Sequence, residues 1–214
     1  MTLNIDSVPH SYGLGLDTTT AALTLALGQP SGSNRYQSWF LERAISTQLH
    51  PLLQDFMVPQ QWADLAWIAV LKGPGSFTGI RIGVVTARTL AQQLRLPLFG
   101  FSNLEIAAWV AAEPHHSKTW TVAVSQTGQQ GNVYGAIYQI QIAERLVSVV
   151  SADRLLPEQA WNQLVSSTSG IDQVIQVENA IDPQQLANAL LTLGWHAWQK
   201  GDRPLWDEVL PYYG

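Results

Sequence analysis

The feature of this sequence that most constrains its fold is a pattern of strands and helices that starts twice. Short apolar segments at residues 12–17, 21–27 and 35–41, separated by turn-forming residues, predict three consecutive antiparallel strands. From Ile45 to Phe56 the apolar residues recur at helical intervals, and Pro51 among them predicts a helix with a late or kinked start. The strand pattern restarts at Trp120. The sequence therefore predicts two similar units.

Each unit continues with alternating strands and helices. Residues 66–71 are continuously apolar, which is typical of a strand covered on both faces. For the rest of the first unit we predict a helix from the glycine-rich loop at 73–79 to about Leu94, a strand at 97–100 and a helix at 103–112. For the second unit we predict strands at 120–124, 133–138, near 145–150 and at 173–177, and helices at about 157–166 and 184–199.

This duplication predicts a fold class. Repeated β-β-β-α-β-α units are typical of the two-lobed α/β architecture of actin, sugar kinases and heat-shock ATPases (the ASKHA fold), in which a nucleotide lies between the lobes. We predict an N-terminal lobe at residues 1–105 and a shortened C-terminal lobe at 106–214. Such a fold does not by itself define an activity.

Composition excludes several classes of protein. With 46% hydrophobic and 13% charged residues, the chain has ample material for a core, and intrinsic disorder is excluded. The net charge is −5, and no cluster of Lys and Arg offers a surface for independent nucleic-acid binding. The sequence has no cysteine, which excludes disulfides, a thiol nucleophile and thiolate metal sites.

The histidines and the apolar segments bear on metal binding and location. The five histidines, at positions 10, 50, 115, 116 and 196, lack the spacing of a metal site, so we predict none. Residues 1–11 lack the basic and apolar regions of a signal peptide, and no apolar stretch reaches the length of a membrane span. We therefore predict a cytoplasmic protein without membrane contact.

Asp17 is the first candidate for a phosphate site. It ends a predicted strand and would lie at the edge of the expected cleft, where kinases and ATPases of this architecture use an Asp to orient metal-bound phosphate. Alternatively, Asp17 is a turn residue whose carboxylate accepts N–H groups around Thr19.

The loop at residues 73–79 is the second candidate. Gly73, Gly75 and Ser76 precede a helix, and the free N–H groups of a helix N-terminus can hold an anion. The loop has neither the ending of a P-loop nor the spacing of a dinucleotide motif. The alternative is a tight turn in which Ser76 or Thr78 caps the helix.

The helix after this loop carries small residues at every fourth position, namely Gly79, Gly83, Ala87 and Ala91. Such a stripe lets another element approach the helix closely. Because Gly costs ~1 kcal/mol in a helix interior, two glycines imply a compensating contact. That contact is either with this protein's own sheet or with another subunit.

The motif Gly-Pro-Gly-Ser-Phe-Thr-Gly-Ile-Arg-Ile-Gly at residues 73–83 resembles the TsaB family, also called YeaZ, of bacterial tRNA threonylcarbamoyladenosine biosynthesis proteins. Further matches extend along most of the chain, except its first dozen residues. They are Leu-Asp-Thr-Thr at 16–19, Ser46-Thr47 through Pro51, Asn-Val-Tyr at 132–134 and Pro-Tyr-Tyr at 211–213.

The resemblance implies a two-lobed fold, dimers formed through helices, and partnership with TsaD, the paralogue that transfers threonylcarbamoyl to an adenosine beside the tRNA anticodon. It also implies a small ATPase partner, TsaE, contact with tRNA only through the complex, and ATP used by the complex but no cofactor in the isolated chain. Combined with the helix patterns, it predicts a partner-binding face formed by Leu49, Leu52, Leu53, Phe56, Gly79, Gly83 and Ala87.

This chain departs from the family pattern at two places. Ile45 stands where relatives often have His, and residues 125–128, Ser-Gln-Thr-Gly, replace a common Asp-Ala-Arg run. TsaD-type enzymes hold a metal through paired helix histidines, whereas the first helix here has only His50, and residues 151–214 show no glycine-rich nucleotide motif.

Three functions follow as hypotheses. The first is a non-catalytic scaffold subunit without catalytic residues of its own. The second is a small kinase or ATPase that uses Asp17 and the loop at 73–79. The third, a metalloprotease activity once attributed to relatives of TsaD, is opposed by the missing metal ligands.

Overall fold

The computed structural model describes residues 12–29, 34–115, 119–177 and 181–214. The predictions made for residues 1–11 and for His10 and His116 fall outside these ranges. Among the described residues, no helix combines the length and hydropathy that a membrane span requires.

The described residues of the first half form five strands and three helices. The strands are β1 (Tyr12–Asp17), β2 (Ala22–Gly28), β3 (Arg35–Phe40), β4 (Leu65–Leu71) and β5 (Leu98–Phe101). The helices are α1 (Ile45–Met57), α2 (Phe77–Leu94) and α3 (Asn103–Ala112).

In the second half, the part of the chain that the structure describes forms four strands and two helices. The strands are β6 (Thr119–Thr127), β7 (Asn132–Gln141), β8 (Leu146–Pro157) and β9 (Gln173–Val177), and the helices are α4 (Glu158–Ser167) and α5 (Pro183–Gln199). Short 3₁₀ turns at Glu42–Ala44, Trp62–Asp64, Glu113–His115 and Trp206–Glu208 complete the described elements.

The strands form two sheets with the same internal order. The first sheet has the order β3-β2-β1-β4-β5 and the second has β8-β7-β6-β9. In each sheet three successive strands are antiparallel, and the next strand pairs in parallel with the first of the three. Within the described ranges, the second sheet has no counterpart of β5. This confirms a duplicated, ASKHA-type α/β fold with a shortened second half.

The two halves exchange helices. Helix α3 packs on β6 and β7 of the second sheet, whereas α5 packs on β1, β2 and β4 of the first. Trp67 of β4 is fully buried, and a Cβ atom at Gly13 or Gly194 would lie within 2.4 Å of its ring. Because Gly194 has no side chain, α5 can approach β4 closely. The lobe boundaries at 1–105 and 106–214 stay a prediction.

Helices α1 and α2 cover the other face of the first sheet. Their buried residues, including Leu49, Leu53, Ile80 and Val84, share one core with the leucines of β1 and β2. On the second sheet, α4 covers the outer face through Trp161.

Two elements differ from the sequence-based prediction. Helix α1 begins directly at Ile45, so the predicted late start is wrong. The exposed Pro51 lies inside the helix, and a 3₁₀ turn at Glu42–Ala44 precedes it. Strand β8 extends to Pro157 instead of ending near residue 150. Its second half contains Ser151, Asp153 and Arg154, so it lacks an apolar pattern although it pairs with β7.

Candidate functional site

A cavity of about 230 Å³ lies at the end of β1, where elements of both sheets meet. Its walls come from the turn after β1, the loop before α2, the start of α3, the end of β6 and the start of α5. The lining residues are Asp17, Thr19, Thr20, Ala22, Thr24, Ser38, Pro74, Asn103, Gln126, Val177, Ile181, Pro183 and Leu186. This is the cleft that the duplicated fold predicts.

Asp17 is held by the turn that follows it. Its carboxylate is 2% exposed, and Oδ1 accepts hydrogen bonds from the backbone N–H and the hydroxyl of Thr19, both at 2.7 Å. Burial raises the pKa of Asp17, and these two hydrogen bonds act in the opposite direction. The turn role predicted as one alternative for Asp17 is therefore present.

Asn103, the first residue of α3, extends this hydrogen-bond chain. Its Nδ2 donates to Thr19 Oγ1 at 2.6 Å, and its backbone N–H donates to the carbonyl of Gly73 at 2.9 Å. The amide oxygen Oδ1 is buried without a hydrogen-bond partner among the described residues. Sequence analysis missed Asn103, because nothing in the local sequence separates it from an ordinary helix start.

The loop at residues 73–79 packs on the turn after β1. The N–H of Ser76 donates to the carbonyl of Thr19 at 2.7 Å, and Ser76 Oγ accepts the N–H of Gly79 at 3.2 Å. The predicted cap of α2 by Ser76 is thus confirmed. A Cβ atom at Gly75 would lie 2.4 Å from the Thr19 carbonyl oxygen. Glycine is required there because the loop touches the protein's own backbone.

On the side of the loop that faces the end of β1, these contacts leave no room for a nucleotide phosphate. The loop surface that faces the end of β1 is filled by residues 18–19, and Gly73, at φ +112°, is closed off on another side by the carbonyl of Tyr212. No Lys, Arg or His is among the described residues lining the cavity. Among the described residues, no group of three or more His, Asp and Glu could hold a metal ion. Phosphate binding by Asp17, Gly73, Gly75 and Ser76 stays a prediction without structural support.

A second polar cluster, also missed by sequence analysis, lies where α3 meets the second sheet. The hydroxyls of Ser102 and Tyr138 both donate to the carboxylate of Asp153. Ser102 also caps α3 by accepting the N–H of Leu104, while its own N–H donates to Glu105. Burial raises the pKa of Glu105 to about 7, and burial together with Asp153 raises that of Tyr138.

The C-terminal residues 211–213 join both halves. The N–H of Tyr212 donates to the carbonyl of Lys72 at 2.7 Å, and Tyr134 of β7 donates through its hydroxyl to the carbonyl of Tyr213 at 3.0 Å. Arg81 of α2 donates to the Tyr213 hydroxyl at 2.8 Å. The Pro-Tyr-Tyr motif therefore connects β4 and α2 with the second sheet.

The predicted partner-binding residues lie mostly inside the protein. Leu49, Leu53, Phe56 and Ala87 are buried in the core of the first sheet, whereas Leu52 is partly buried. Gly79 and Gly83 face the turn after β1, since Cβ atoms there would lie 2.0 Å from the Thr18 carbonyl oxygen and 2.1 Å from its Oγ1. In this conformation the buried residues cannot touch a partner. We call the small residues Gly79, Gly83, Ala87 and Ala91 of α2 the small stripe. These contacts favour packing of the small stripe within this protein over contact with another subunit.

The opposite side of α2 is exposed. Phe77, Arg81, Val85 and Thr89 recur at intervals of four and form what we call the outer stripe. Phe77 is 53% and Val85 59% exposed, and the Arg81 guanidinium lies 3.9 Å from the centre of the Phe77 ring. The outer stripe thus carries two exposed apolar side chains, Phe77 and Val85, with Arg81 between them and Thr89 after them.

The two departures from the family pattern have different locations. Ile45 is 4% exposed in the core, whereas Gln126 lines the cavity. Residues 125–128 thus place an uncharged amide at the cleft.

Comparison with known proteins identifies the family. Residues 41–187 match the model of the TsaD family, tRNA N6-adenosine threonylcarbamoyltransferase. The chain is 30% identical to the tRNA threonylcarbamoyladenosine biosynthesis protein TsaB of Bacillus subtilis over 198 residues, which is 89% of this chain and 82% of that protein. It is 26% identical to TsaB of Haemophilus influenzae over 190 residues, covering 87% and 74% of the two chains.

A solved structure shares the fold. YeaZ from Pseudomonas aeruginosa superposes with a TM-score of 0.72 at 23% identity, covering 95% of this chain and 100% of that one. Fold and sequence thus agree, and this chain belongs to the TsaB (YeaZ) family.

Proposed function

We propose that this chain takes part in forming threonylcarbamoyladenosine in tRNA as a non-catalytic subunit that supports a TsaD-like threonylcarbamoyltransferase. Relatives that match most of the chain carry the name of that biosynthesis. The match to the TsaD family model supports a paralogous origin, which suits a partner built on the same fold.

One observation carries the non-catalytic part of this proposal. The glycine loop at 73–79 would have to cradle phosphate in an ATPase of this fold, and its side toward β1 is occupied by the protein's own turn after β1. Its other side, with Gly75, Ser76 and Thr78, lines a separate open cavity that includes Arg43. The 2.7 Å hydrogen bond from Ser76 N–H to the Thr19 carbonyl uses a donor of that loop. The cleft beside it is lined by Asp17 and by no cation among the described residues, which disfavours an anionic ligand.

The remaining parts of the proposal concern partners. The TsaD-like subunit and a TsaE-like ATPase bind this chain, the complex consumes ATP, and tRNA is reached through the complex. The chain forms a homodimer when it is alone, and the assembly works in the cytoplasm. Because the small stripe of α2 is buried, the outer stripe of α2 is the surface that we propose for these contacts.

Two measurements test the function. We expect the isolated chain to lack ATP turnover and to co-purify with the TsaD-like protein of the same organism. In cells that lack this chain, mass spectrometry of tRNA nucleosides should find threonylcarbamoyladenosine reduced and restored by the wild-type gene. Steady ATP turnover by the isolated chain that Asp17→Asn abolishes would instead establish the kinase or ATPase alternative.

A further inference from the structure

Strand β9 has a free edge at the place where the first sheet has a further strand. In the first sheet, β4 pairs in parallel with β1 on one side and with β5 on the other. Its counterpart β9 pairs in parallel with β6 and, among the described residues, with no second strand. The duplicated fold thus leaves a strand position beside β9 that no described part of the chain fills.

The backbone of β9 has unused hydrogen-bonding groups on this edge. Apart from the ladder with β6, no backbone–backbone hydrogen bond within the described ranges involves residues 173–177. In the first sheet, by contrast, even the outer edge of β5 is contacted, since the N–H of Leu98 donates to the carbonyl of Pro204 at 3.3 Å. A row of free N–H and C=O groups is a template for pairing with another chain.

Bulges, prolines and charges, which commonly protect an edge strand, are missing from β9. Its sequence is Gln-Val-Ile-Gln-Val, and its register with β6 is uninterrupted. The strand β8, at the other edge of this sheet, differs because two register shifts interrupt its ladder with β7 and because it carries Asp153 and Arg154. Of these two edges, β9 is therefore the one suited to accept a further strand.

The side chains of β9 leave hydrocarbon accessible beside this edge. Val174 is 56% exposed on one face of the strand, whereas Ile175 and Val177 on the other face are only partly buried at the rim of the core. Side chains of a strand added beside β9 would lie next to both faces. Apolar residues, β-branched ones above all, are therefore favoured in the centre of such a strand.

Acidic residues around β9 limit which partner fits. Between Arg154 and Lys200 the sequence has four acidic residues and no Lys or Arg. Asp172 and Asp182, one before and one after the strand, are both exposed. A second copy of this edge would bring the same carboxylates together, which is repulsive, whereas Lys or Arg at the ends of an added segment is attracted.

We propose that β9 is a docking site for an extended segment of another protein, with apolar residues in its centre and Lys or Arg at both ends. The segment adds in parallel to β9, as β5 does to β4. Its main chain supplies the hydrogen bonds, and its basic ends lie near Asp172 and Asp182. The site is independent of the proposed role in tRNA modification, since it uses no residue of the outer stripe.

The experiment uses the isolated full chain and, as the probe, a fluorescein-labelled peptide of sequence Lys-Lys-Val-Thr-Val-Thr-Val-Lys-Lys. One control peptide carries N-methyl groups on all the central Val and Thr amides, and another has Glu in place of every Lys. Fluorescence anisotropy measures binding. We expect saturable binding of the probe and at least about tenfold weaker binding of both controls, because the first lacks the main-chain donors and the second has the wrong charge.

NMR of the complex locates the added strand. Amide exchange should slow at those residues of β9 whose N–H groups point away from β6. A nitroxide at the N-terminus of the peptide should broaden the resonances of Gln173, and a nitroxide at its C-terminus those of Val177, because parallel strands have their N-termini at the same end.

A double variant tests the charges. Asp172→Asn together with Asp182→Asn removes both carboxylates but keeps acceptors for the N–H groups of Thr121 and of the first turn of α5. We expect it to bind the probe several-fold more weakly at low salt. The exposed pair Asp55→Asn and Asp207→Asn removes the same charge elsewhere and should leave binding unchanged. Circular dichroism and thermal melting establish that both variants are folded.

Several results would overturn the proposal. They are absence of saturable binding, equal binding of the N-methylated peptide, or unchanged binding by the folded double variant at Asp172 and Asp182. Broadening of Val177 by the N-terminal nitroxide would exclude the parallel orientation. A dimer of the chain alone that the probe dissociates in sedimentation experiments would make a second copy the occupant. None of these measurements includes the TsaD-like subunit, so each outcome is distinguishable from a failure of the proposed function.

Discussion

The hydroxyl of Thr18 donates a hydrogen bond to the carbonyl oxygen of Gly79 at 2.7 Å, across 61 residues of sequence. The bond fixes the first turn of α2 on the end of β1 and explains why this helix contains glycines. The small stripe is the place where α2 contacts the turn after β1.

Gly83 gives the first prediction. A Leu side chain there would collide with Thr18, since even a Cβ atom would lie 2.1 Å from its Oγ1. We expect Gly83→Leu to lower the free energy of unfolding by ~2–4 kcal/mol through overpacking and loss of the Thr18 hydrogen bond. Urea unfolding measures this, with the exposed Gln93→Leu as the control. A stable Gly83→Leu with weakened association would return this stripe to the subunit interface.

The outer stripe gives the second prediction. Val85→Glu replaces the exposed apolar side chain between Arg81 and Thr89 of the outer stripe with a charge and should weaken self-association or binding to the TsaD-like subunit by ~1–3 kcal/mol, about five- to 150-fold, without unfolding the chain. Val174→Glu on β9 is the matched control because Val174 is also exposed, at 56%. Analytical ultracentrifugation and co-purification give the readout. Equal effects of the two substitutions would contradict an interface on α2.

Glu105 gives the third prediction. Burial raises its pKa from 4.5 to about 7, with nearby Asp153 adding to the rise and Lys72 opposing it. The folded protein then keeps a proton that the unfolded chain releases, so stability falls as pH rises from about 4.5 to 7 and levels off above that, a loss of about 3 kcal/mol.

Glu105→Gln tests this directly, because the amide oxygen can still accept the N–H of Ser102 while the charge is gone. Urea unfolding at about pH 5 and about pH 8 should show a smaller pH dependence in the variant than in the wild type. The exposed Glu113→Gln, at the end of α3, should leave the pH dependence unchanged. The same slope in all three proteins would show that Glu105 titrates normally.

Arg35 gives the fourth prediction. Its Nη2 donates to the carbonyl oxygens of Phe56 at 2.8 Å and Met57 at 3.0 Å, where α1 ends, and its guanidinium lies 5.2 Å from the centre of the Phe56 ring. A cation at a helix C-terminus satisfies free carbonyls and the helix dipole. Arg35→Met should therefore cost ~1–2 kcal/mol of stability in thermal or urea unfolding, whereas the exposed Arg43→Met should cost little.

Local patterns predicted most elements of the fold. Helix α3 was predicted at residues 103–112, the bounds that the structure has, and the structure adds a capping box of Ser102 and Glu105 at its start. The half-buried strand β9 was also predicted with its bounds. In contrast, the second half of β8 could not be predicted, because its pairing with β7 brings polar residues such as Asp153 into a strand without apolar alternation.

The site was less predictable because its contacts join distant parts of the chain. Asp17 and the loop at 73–79 were singled out from their motifs, but spacing could not tell that the Thr19 carbonyl occupies the loop. The bonds from Asn103 to Thr19 and from Ser102 to Asp153 span 84 and 51 residues. A stripe of small residues likewise gives helix periodicity but does not reveal which neighbour the helix meets.

The exchange of helices between the halves has a consequence for synthesis on the ribosome. The face of the first sheet that α5 covers includes Trp67 and Ala69 in the core shared with Leu190 of α5. Strand β5 ends at Phe101, whereas α5 ends only at Gln199. At ~5–20 residues per second, translation of the intervening segment takes roughly 5–20 s, during which that apolar face has no cover from its own chain. Every nascent copy therefore passes through a period in which this face of the sheet lacks the helix that covers it in the folded protein.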